Sequence, residues 1–144
     1  MKRSIISATL FAAALAATSV AGVARANPTI ENNGVLANRD GRTLYTFTKD
    51  SAGKSNCSGG CIAAWPAFTV ANPALAGGDF TIVTRDDGAQ QWAFKGQPLY
   101  FFAGDQKPGD VNGDKQGGVW FVIPGAQKAR TSAAPANTQS TYGY

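Results

Sequence analysis

The sequence predicts a small all-β domain, mainly antiparallel, built from two tandem repeats of short strands with long loops and one short helical turn near residues 61–65. Three observations predict it. A segment running from Gly41 to Trp65 recurs from Gly96 to Trp120. Short apolar runs alternate with Gly-, Pro- and Asp-rich turn signals. No apolar periodicity is long enough for an amphipathic helix of three turns.

The repeat rests on six residues that recur at a constant offset of 55 positions with no gap. A shared order of this kind is unlikely by chance and indicates an internal duplication. The matched pairs are Gly41/Gly96, Leu44/Leu99, Tyr45/Tyr100, Phe47/Phe102, Asp50/Asp105 and Trp65/Trp120.

The first 26 residues have the pattern of a secretory signal peptide. Lys2 and Arg3 precede an apolar run over residues 5–23, and Ala24-Arg25-Ala26 forms a small-residue cleavage site. An uncleaved membrane anchor is the alternative, but Ser, Thr and Gly interrupt the run. We therefore expect cleavage after Ala26, a lead-in over 27–33, a β domain over 34–125 and a disordered tail over 126–144. Within the domain, repeat one covers about 34–70 and repeat two about 79–124.

The charge balance argues against nucleic acid and anionic membrane as partners. The chain has 13 Lys and Arg against 9 Asp and Glu, but three of the basic residues belong to the leader. The remaining part is nearly neutral and has no basic cluster. We also expect no transmembrane segment once the leader is removed.

Both cysteines, Cys57 and Cys61, fall in the predicted domain, and an exported chain with two cysteines predicts one disulfide. Four residues of strand span roughly 13 Å, too far for a disulfide, so this segment must turn or form one helical turn. The bridge would pin a local bend.

Six strands are expected, each from a short apolar or β-rich run that ends at a turn signal. Repeat one begins with a short strand, turns at residues 38–41, and continues in a strand where Tyr45 and Phe47 share one face. Residues 49–58 form a loop, and Pro66 ends the helical turn. Residues 71–79 connect the repeats, and Pro98 should begin a strand or lie at an edge. The predicted strands cover residues 34–38, 44–47, 80–84, 91–94, 99–102 and 119–123.

Two interpretations of the repeated side chains stay open. In the structural one, the aromatic residues fill a half-buried strand face, and Asp50 or Asp105 folds back on the amides of the following loop. In the functional one, tyrosine hydroxyls and aspartates from both repeats meet as a paired ligand site. The structural interpretation is favoured because duplicated core positions are expected in a duplicated fold. Trp65 and Trp120 are expected to cap each unit; an exposed pair would instead stack on a flat ligand.

Residues 110–114 resemble the start of a calcium loop, because Asp110, Asn112 and Asp114 stand at positions 1, 3 and 5. Lys115 replaces the required Gly at position 6, and Phe121 replaces the Glu at position 12. A Gly-rich polar loop is therefore the favoured interpretation, with calcium as the weaker candidate.

Catalytic classes are narrowed by the absence of histidine from the whole chain. This excludes Ser–His and Cys–His nucleophile pairs and histidine metal ligands. The Cys57–Cys61 spacing is not the C-x-x-C redox spacing. We expect neither an enzyme nor a cofactor. A hydrolase that uses only carboxylates such as Asp50, Asp105, Asp110 and Asp114 is the one catalytic alternative.

Residues 45–50 and 100–105 both fit the motif Y-x-[FWY]-x-x-D. With the Gly-x-x-Leu that precedes each copy, the two cysteines, Ala64-Trp65-Pro66 and Gly117-Gly118-Val119-Trp120, the chain resembles the bacterial secreted-repeat family of predicted lipoproteins over roughly residues 34–124. The resemblance implies an exported, envelope-associated protein of uncharacterised role. Many such proteins carry a lipid on a cysteine directly after the leader, but Asn27-Pro28 stands there in this chain. We therefore expect a periplasmic or secreted protein that is not lipid-anchored.

Together these observations predict an exported cell-envelope protein that binds an envelope component or has a structural role, without catalysis. The alternatives are a small-ligand or calcium binder that uses the repeated Tyr and Asp residues, and a carboxylate-based hydrolase of envelope glycans.

Overall fold

The structure is a computed structural model that describes residues 26–126. The signal-peptide prediction for residues 1–26 and the disorder prediction for residues 126–144 fall almost entirely outside the described residues. The described elements are β1 (Thr29–Asn32), β2 (Val35–Asn38), β3 (Tyr45–Phe47), α1 (Gly60–Ala64), a 3₁₀ turn (Pro73–Leu75), β4 (Phe80–Thr84), β5 (Gln90–Phe94), β6 (Gln97–Pro98), a second 3₁₀ turn (Gln116–Gly118) and β7 (Trp120–Val122).

The predicted all-β class is confirmed. All strand pairs are antiparallel, and they form the sheets β1-β2, β3-β7 and β4-β5-β6. The single α-helix of the described residues is five residues long and coincides with the predicted helical turn. Short strands joined by turns therefore carry the architecture.

Two details of the predicted strands are wrong. Residues 29–32 form β1, paired with β2, rather than a polar lead-in. The sequence hid this strand because only Thr29 of its four side chains is buried. The predicted strand over 99–102 is not continuous. The strand β6 ends at Pro98, and residues 99–102 contribute only single bridges, from Tyr100 to Tyr45 and to Ala67.

The last extended segment of each repeat, residues 66–69 in repeat one and β7 in repeat two, pairs with the other repeat. In β3 and β7, Tyr45 lies opposite Val122; at the equivalent positions 55 residues away, Tyr100 pairs with Ala67. The next hydrogen bonds repeat the exchange, since the Thr48 amide donates to the Val119 carbonyl and the Ala103 amide to the Ala64 carbonyl, both at 2.9 Å. These reciprocal contacts define a pseudo-twofold axis between the repeats.

As a result, the structural halves differ from the sequence repeats. The second half is contiguous, over residues 64–105, and its first extended segment, residues 67–69, pairs with β5 and with Tyr100. The first half joins residues 29–50 to the C-terminal strand β7. In the first half, the Leu36 amide of β2 donates to the carbonyl of Ile123, the residue after β7, at 2.8 Å. The matching bond of the second half runs from the Trp92 amide to the Phe68 carbonyl, also at 2.8 Å. The first half is thus closed by the two ends of the described chain.

The hydrophobic core is shared by both repeats. Leu44 and Leu99 point to one cluster, while the adjacent Tyr45 and Tyr100 point to another, as alternation along a strand requires. The buried members of the first cluster are Leu44, Phe80, Trp92, Leu99 and Ile123, and those of the second are Tyr45, Cys57, Trp65, Tyr100 and Trp120. Each cluster contains residues of both repeats, so neither repeat has a core of its own.

Candidate functional site

The motif tyrosines lie back to back at the pseudo-twofold axis. The amide of Tyr45 donates to the carbonyl of Tyr100 at 2.9 Å, and the amide of Tyr100 donates to the carbonyl of Tyr45 at 3.0 Å. Both residues have 0 % of their surface exposed. The axis therefore passes through a buried pair of backbone hydrogen bonds and not through an open cleft.

The tyrosine hydroxyls form crossed hydrogen bonds to the motif aspartates. The Tyr45 hydroxyl donates to Asp105 Oδ2 of repeat two at 2.7 Å, and the Tyr100 hydroxyl donates to Asp50 Oδ2 of repeat one at 2.7 Å. Hydrogen bonds to an ionised carboxylate are stronger than those between neutral groups. The two crossed pairs consequently tie the repeats to each other.

The second oxygen of each aspartate holds the loop that follows it. Asp50 Oδ1 accepts the Asn56 amide at 2.7 Å, and Asp105 Oδ1 accepts the Asn112 amide at 2.9 Å. These bonds agree with the predicted fold-back of the aspartates on their loops. The asparagines were missed because the offset between the repeats changes here from 55 to 56 residues; an alignment with a one-residue gap would have found them.

The repeated aromatic residues form one continuous stack across the axis. Trp65 and Trp120 lie face to face, with ring centroids 3.8 Å apart and planes 5° apart. Phe47 stacks on the outer face of Trp120 at 4.2 Å, and Phe102 lies against Trp65 at 4.4 Å. The tryptophans therefore pack on each other, not as caps of separate units, and both are buried.

The stack also explains Gly113. A Cβ atom at this position would come within 2.7 Å of Trp65 and 2.9 Å of Phe102. The Gly113 amide donates to the Tyr45 hydroxyl at 3.2 Å, so the absence of a side chain lets the backbone reach the buried phenol.

The two halves differ in what else contacts the tyrosine hydroxyl. The Tyr100 hydroxyl lies 2.6 Å from the Ser55 hydroxyl, and Ser55 in turn accepts a hydrogen bond from Arg85 at 2.7 Å. The equivalent Tyr45 receives the Gly113 amide instead. Arg85 was not among the predicted site residues, because a single charged residue after a β-rich run gives no signal of burial.

Burial controls the ionisation of these groups. Desolvation, with a contribution from the hydrogen bond to Asp105, raises the pKa of Tyr45 far above its ordinary value. Desolvation likewise raises the pKa of Tyr100 to about 12, helped by the hydrogen bond to Asp50. The pKa of Asp50 is raised by desolvation, against the lowering effects of the Asn56 amide, Tyr100 and Arg85. At neutral pH both phenols are therefore neutral donors, unsuited to act as nucleophiles or bases.

The side chains of the weaker calcium candidate, Asp110, Asn112 and Asp114, are each engaged in hydrogen bonds to the backbone. Asp110 Oδ2 accepts the amides of Gln106 and Lys107, each at 2.9 Å. Asp114 Oδ1 accepts the Val122 amide at 3.1 Å, and the Asn112 side chain donates to Gly104. Within residues 26–126, no group of three or more His, Cys, Asp or Glu side chains is placed to hold a metal ion.

The predicted disulfide is confirmed. Cys57 and Cys61 are bonded with their Cα atoms 5.3 Å apart, and the chain turns between them through the bond from the Cys61 amide to the Ser58 carbonyl, where α1 begins. Cys57 is buried, and its carbonyl accepts a hydrogen bond from Arg85. The bridge thereby fixes the loop that carries Ser55 and Asn56.

Comparison with known families places the chain among proteins that contain secreted repeats. The Lipoprotein_15 family model, described as a secreted repeat of unknown function, matches the chain twice, over residues 30–69 and 81–123. These matches cover more than half of the chain, and the chain belongs to this family, as its resemblance implied. Comparison with curated proteins and with solved structures gave no match. In the part of the chain that the structure describes, no helix is long and apolar enough to cross a membrane.

Proposed function

We propose that this chain is an exported, non-catalytic cell-envelope protein, and that its Tyr and Asp motif residues hold two exchanged repeats together as a rigid module for binding or structural support. One observation carries the proposal. The phenols and carboxylates that could bind a ligand or do chemistry are bonded to each other across the axis, with both tyrosines fully buried. Polar groups that are hydrogen-bonded to each other in this way contribute to stability. Any partner would therefore bind at the outer surface.

The export route is part of the proposal. The basic residues Lys2 and Arg3, the apolar run and the Ala24-Arg25-Ala26 site support cleavage after Ala26, and Asn27-Pro28 offers no cysteine for a lipid. The mature protein is then periplasmic or secreted. Mass spectrometry of the exported protein should find an unmodified N-terminus at Asn27; a lipidated N-terminus would contradict this route.

The non-catalytic role is tested with Asp50→Asn and Asp105→Asn. We expect no release of products from peptidoglycan or envelope polysaccharides by the wild-type protein, and we expect both variants to melt at lower temperature. Release of sugars or peptides that either variant abolishes while still folded would establish the carboxylate hydrolase instead.

The calcium alternative is tested by thermal unfolding. Millimolar calcium should leave the melting temperature of the wild-type protein unchanged. Stabilisation by calcium that Asp110→Asn removes would overturn this expectation and place a metal in the loop over 110–114.

A further inference from the structure

The Arg85 pocket lies between the loop that follows the first motif and the turn from β4 to β5. It has a volume of about 400 Å³, within the range of small-molecule sites, and its lining includes Ser55, Cys57, Ser58, Arg85, Asp86 and Asp87. The pocket adjoins the disulfide, and Ser55 links its wall to the Tyr100 hydroxyl.

Arg85 forms the floor of this pocket. Its side chain has only 6 % of its surface exposed. One terminal nitrogen, Nη1, donates to the Ser55 hydroxyl and to Gln91 Oε1, each at 2.7 Å, and Nη2 donates to the Cys57 carbonyl. These three acceptors are neutral, so they orient the guanidinium without cancelling its charge.

The counter-charge of Arg85 is incomplete. Asp87 Oδ2 lies 3.8 Å from Nε, beyond hydrogen-bonding distance, and the Asp87 side chain is 65 % exposed. Asp50 is engaged by Tyr100 and the Asn56 amide, and its hydrogen-bond path to Arg85 runs through Tyr100 and Ser55. Its charge acts on Arg85 through space, since Arg85 partly offsets the rise that desolvation causes in the pKa of Asp50, but no hydrogen bond joins the two groups. A buried cation is costly unless it is paired, so a guanidinium without a bonded carboxylate indicates a place for an anionic group.

The pseudo-twofold comparison shows that the motif itself does not require this arginine. In the second crossed pair, the Tyr45 hydroxyl is completed by the backbone amide of Gly113. The same tyrosine–aspartate bond at the same 2.7 Å distance thus forms without a cation. Arg85 and its pocket are features of one half only, in excess of what holds the repeats together.

Nε is the part of the guanidinium that the three hydrogen bonds leave open. Among residues 26–126, no hydrogen bond involves Nε, and yet no buried polar side-chain atom lacks a partner. Nε therefore reaches solvent, and the pocket is the cavity that Arg85 lines. Asp86 and Asp87 stand at its exposed rim, so the pocket offers a cation at its floor and carboxylates at its mouth.

We propose that the Arg85 pocket binds a small zwitterion of the amino-acid class, with the ligand carboxylate on Arg85 Nε and the ligand ammonium on Asp86 and Asp87. The charges favour this class over a simple anion, which the rim carboxylates would repel, and over a simple cation, which Arg85 would repel. The proposal rests on the binding role proposed above and gives it a site. The role of the motif pairs in stability does not depend on it.

The test is titration of the ¹⁵N-labelled protein with glycine, L-alanine, D-alanine and L-glutamate. We expect at least one to cause saturable shifts in the amide signals of residues 55–59 and 85–87. The N-acetyl and carboxamide derivatives of the same ligand should each bind at least about fivefold more weakly, because each removes one charged contact.

Variants at the rim test the geometry without removing the arginine that supports the loop. The double variant Asp86→Asn/Asp87→Asn should weaken binding at least about fivefold. Asp79→Asn, which changes a similarly exposed carboxylate that lines a different cavity, should leave binding unchanged. Arg85→Lys should abolish binding, and its melting temperature should be reported beside its affinity. The proposal is overturned by the absence of saturable shifts with all four amino acids, by equal binding in the double variant, or by acetate binding as tightly as the amino acids.

Discussion

At the scale of single residues, the crossed pairs show how one side chain performs two tasks. Each motif aspartate uses one oxygen for the tyrosine of the other repeat and the second oxygen for the loop of its own repeat. Because both oxygens of an ionised carboxylate can accept, a single aspartate couples loop shape to repeat pairing. The fixed spacing between Tyr and Asp follows from this double demand.

The crossed arrangement predicts a specific pattern of energetic coupling. Tyr45→Phe and Asp105→Asn should each lower the free energy of unfolding by about 1–3 kcal/mol, because each leaves a buried group without its partner. The double variant should lose less than the sum, with a coupling of about 1 kcal/mol measured by urea unfolding.

The matched control is the cycle of Tyr45→Phe with Asp50→Asn, which joins residues of the same repeat that are not bonded to each other. These two changes should be additive within about 0.5 kcal/mol. Stronger coupling of Tyr45 to Asp50 than to Asp105 would contradict the crossed pairing.

The raised pKa values of the tyrosines predict loss of stability in alkali. Unfolded phenols lose their protons near their ordinary pKa of 10.0, while folded Tyr100 retains its proton up to about 12 and Tyr45 retains its proton still higher. The folded state therefore binds more protons above pH 10. The free energy of unfolding should be unaffected by these groups below that pH and should fall as the pH rises, by at most about 1.4 kcal/mol per pH unit for each phenol.

Urea unfolding at several pH values between 8 and 11.5 measures this slope. The variant Tyr45→Phe/Tyr100→Phe should be less stable at pH 8 but should lose less stability between pH 10 and 11.5. An equal slope in the wild-type protein and the variant would show that other groups cause the alkaline loss.

At the scale of elements, the aromatic stack joins a strand and a turn from each repeat into one block. Phe47 and Trp120 come from the paired strands β3 and β7, and Trp65 follows directly after α1. Gly113 lies where its loop approaches the stack, and a side chain there would collide with the rings. This close approach, and not a turn requirement, explains the glycine.

Gly113→Ala should therefore lower the free energy of unfolding by about 1–3 kcal/mol through overpacking against Trp65 and Phe102. Gly60→Ala is the matched control, since nothing lies within 4 Å of a Cβ atom at Gly60 and its φ angle is not positive. The control should be neutral or slightly stabilising by thermal unfolding. Equal loss in both variants would indicate a general effect of replacing glycine.

The disulfide supports only one of the two motif loops. The loop of repeat two places Gly113 where repeat one has Cys57, and it keeps its shape without a bridge. Cys57→Ala/Cys61→Ala should cost about 2 kcal/mol on the chain-entropy model. Hydrogen exchange of the amides near Ser55 and Asn56 should accelerate, while the amides of Asn112 and Gly113 stay protected; equal acceleration in both loops would show that the bridge acts on the whole molecule.

At the scale of the whole molecule, the sequence predicted the duplication but not how the copies combine. The aromatic and glycine matches identified two repeats because strong side-chain preferences mark the strands. Residues 66–69 and β7 have the same short, β-compatible character, and each could pair with Tyr45 or with Tyr100 by local pattern alone. Which of the two it joins depends on how the intervening loops fold, and no residue spacing reveals that.

Because of the exchange, the hydrogen-bond partners of the motif tyrosines lie far from them in the sequence. The partner of a motif tyrosine is 60 residues away for Tyr45 and 50 away for Tyr100, beyond any local motif. Arg85 lay outside the repeated pattern altogether, since only one half contains it. The repeated motif thus pointed to the residues that meet at the axis, but it could not pair them or indicate the side chain that makes the two halves different.

Because each sequence repeat lacks the strand that completes its sheet, neither repeat should fold as a monomer. We expect a fragment of residues 27–76 and a fragment of residues 77–126 to be unfolded, or to self-associate as symmetric dimers, when separate. Mixed in equal amounts, the two fragments should assemble one to one. In the complex, β7 of the second fragment pairs with β3 of the first, and residues 66–69 of the first fragment pair with Tyr100 of the second.

Circular dichroism and analytical ultracentrifugation of each fragment and of the mixture provide the test. The mixture should recover the near-ultraviolet signal of the stacked tryptophans, and Trp65→Ala in the first fragment should remove it by deleting half of the stack. A fragment that folds alone as a monomer would show that the exchanged strand is dispensable, and the shared core would then have to be divisible between the repeats. The continuous stack across the axis and the mixed membership of both clusters argue against that division.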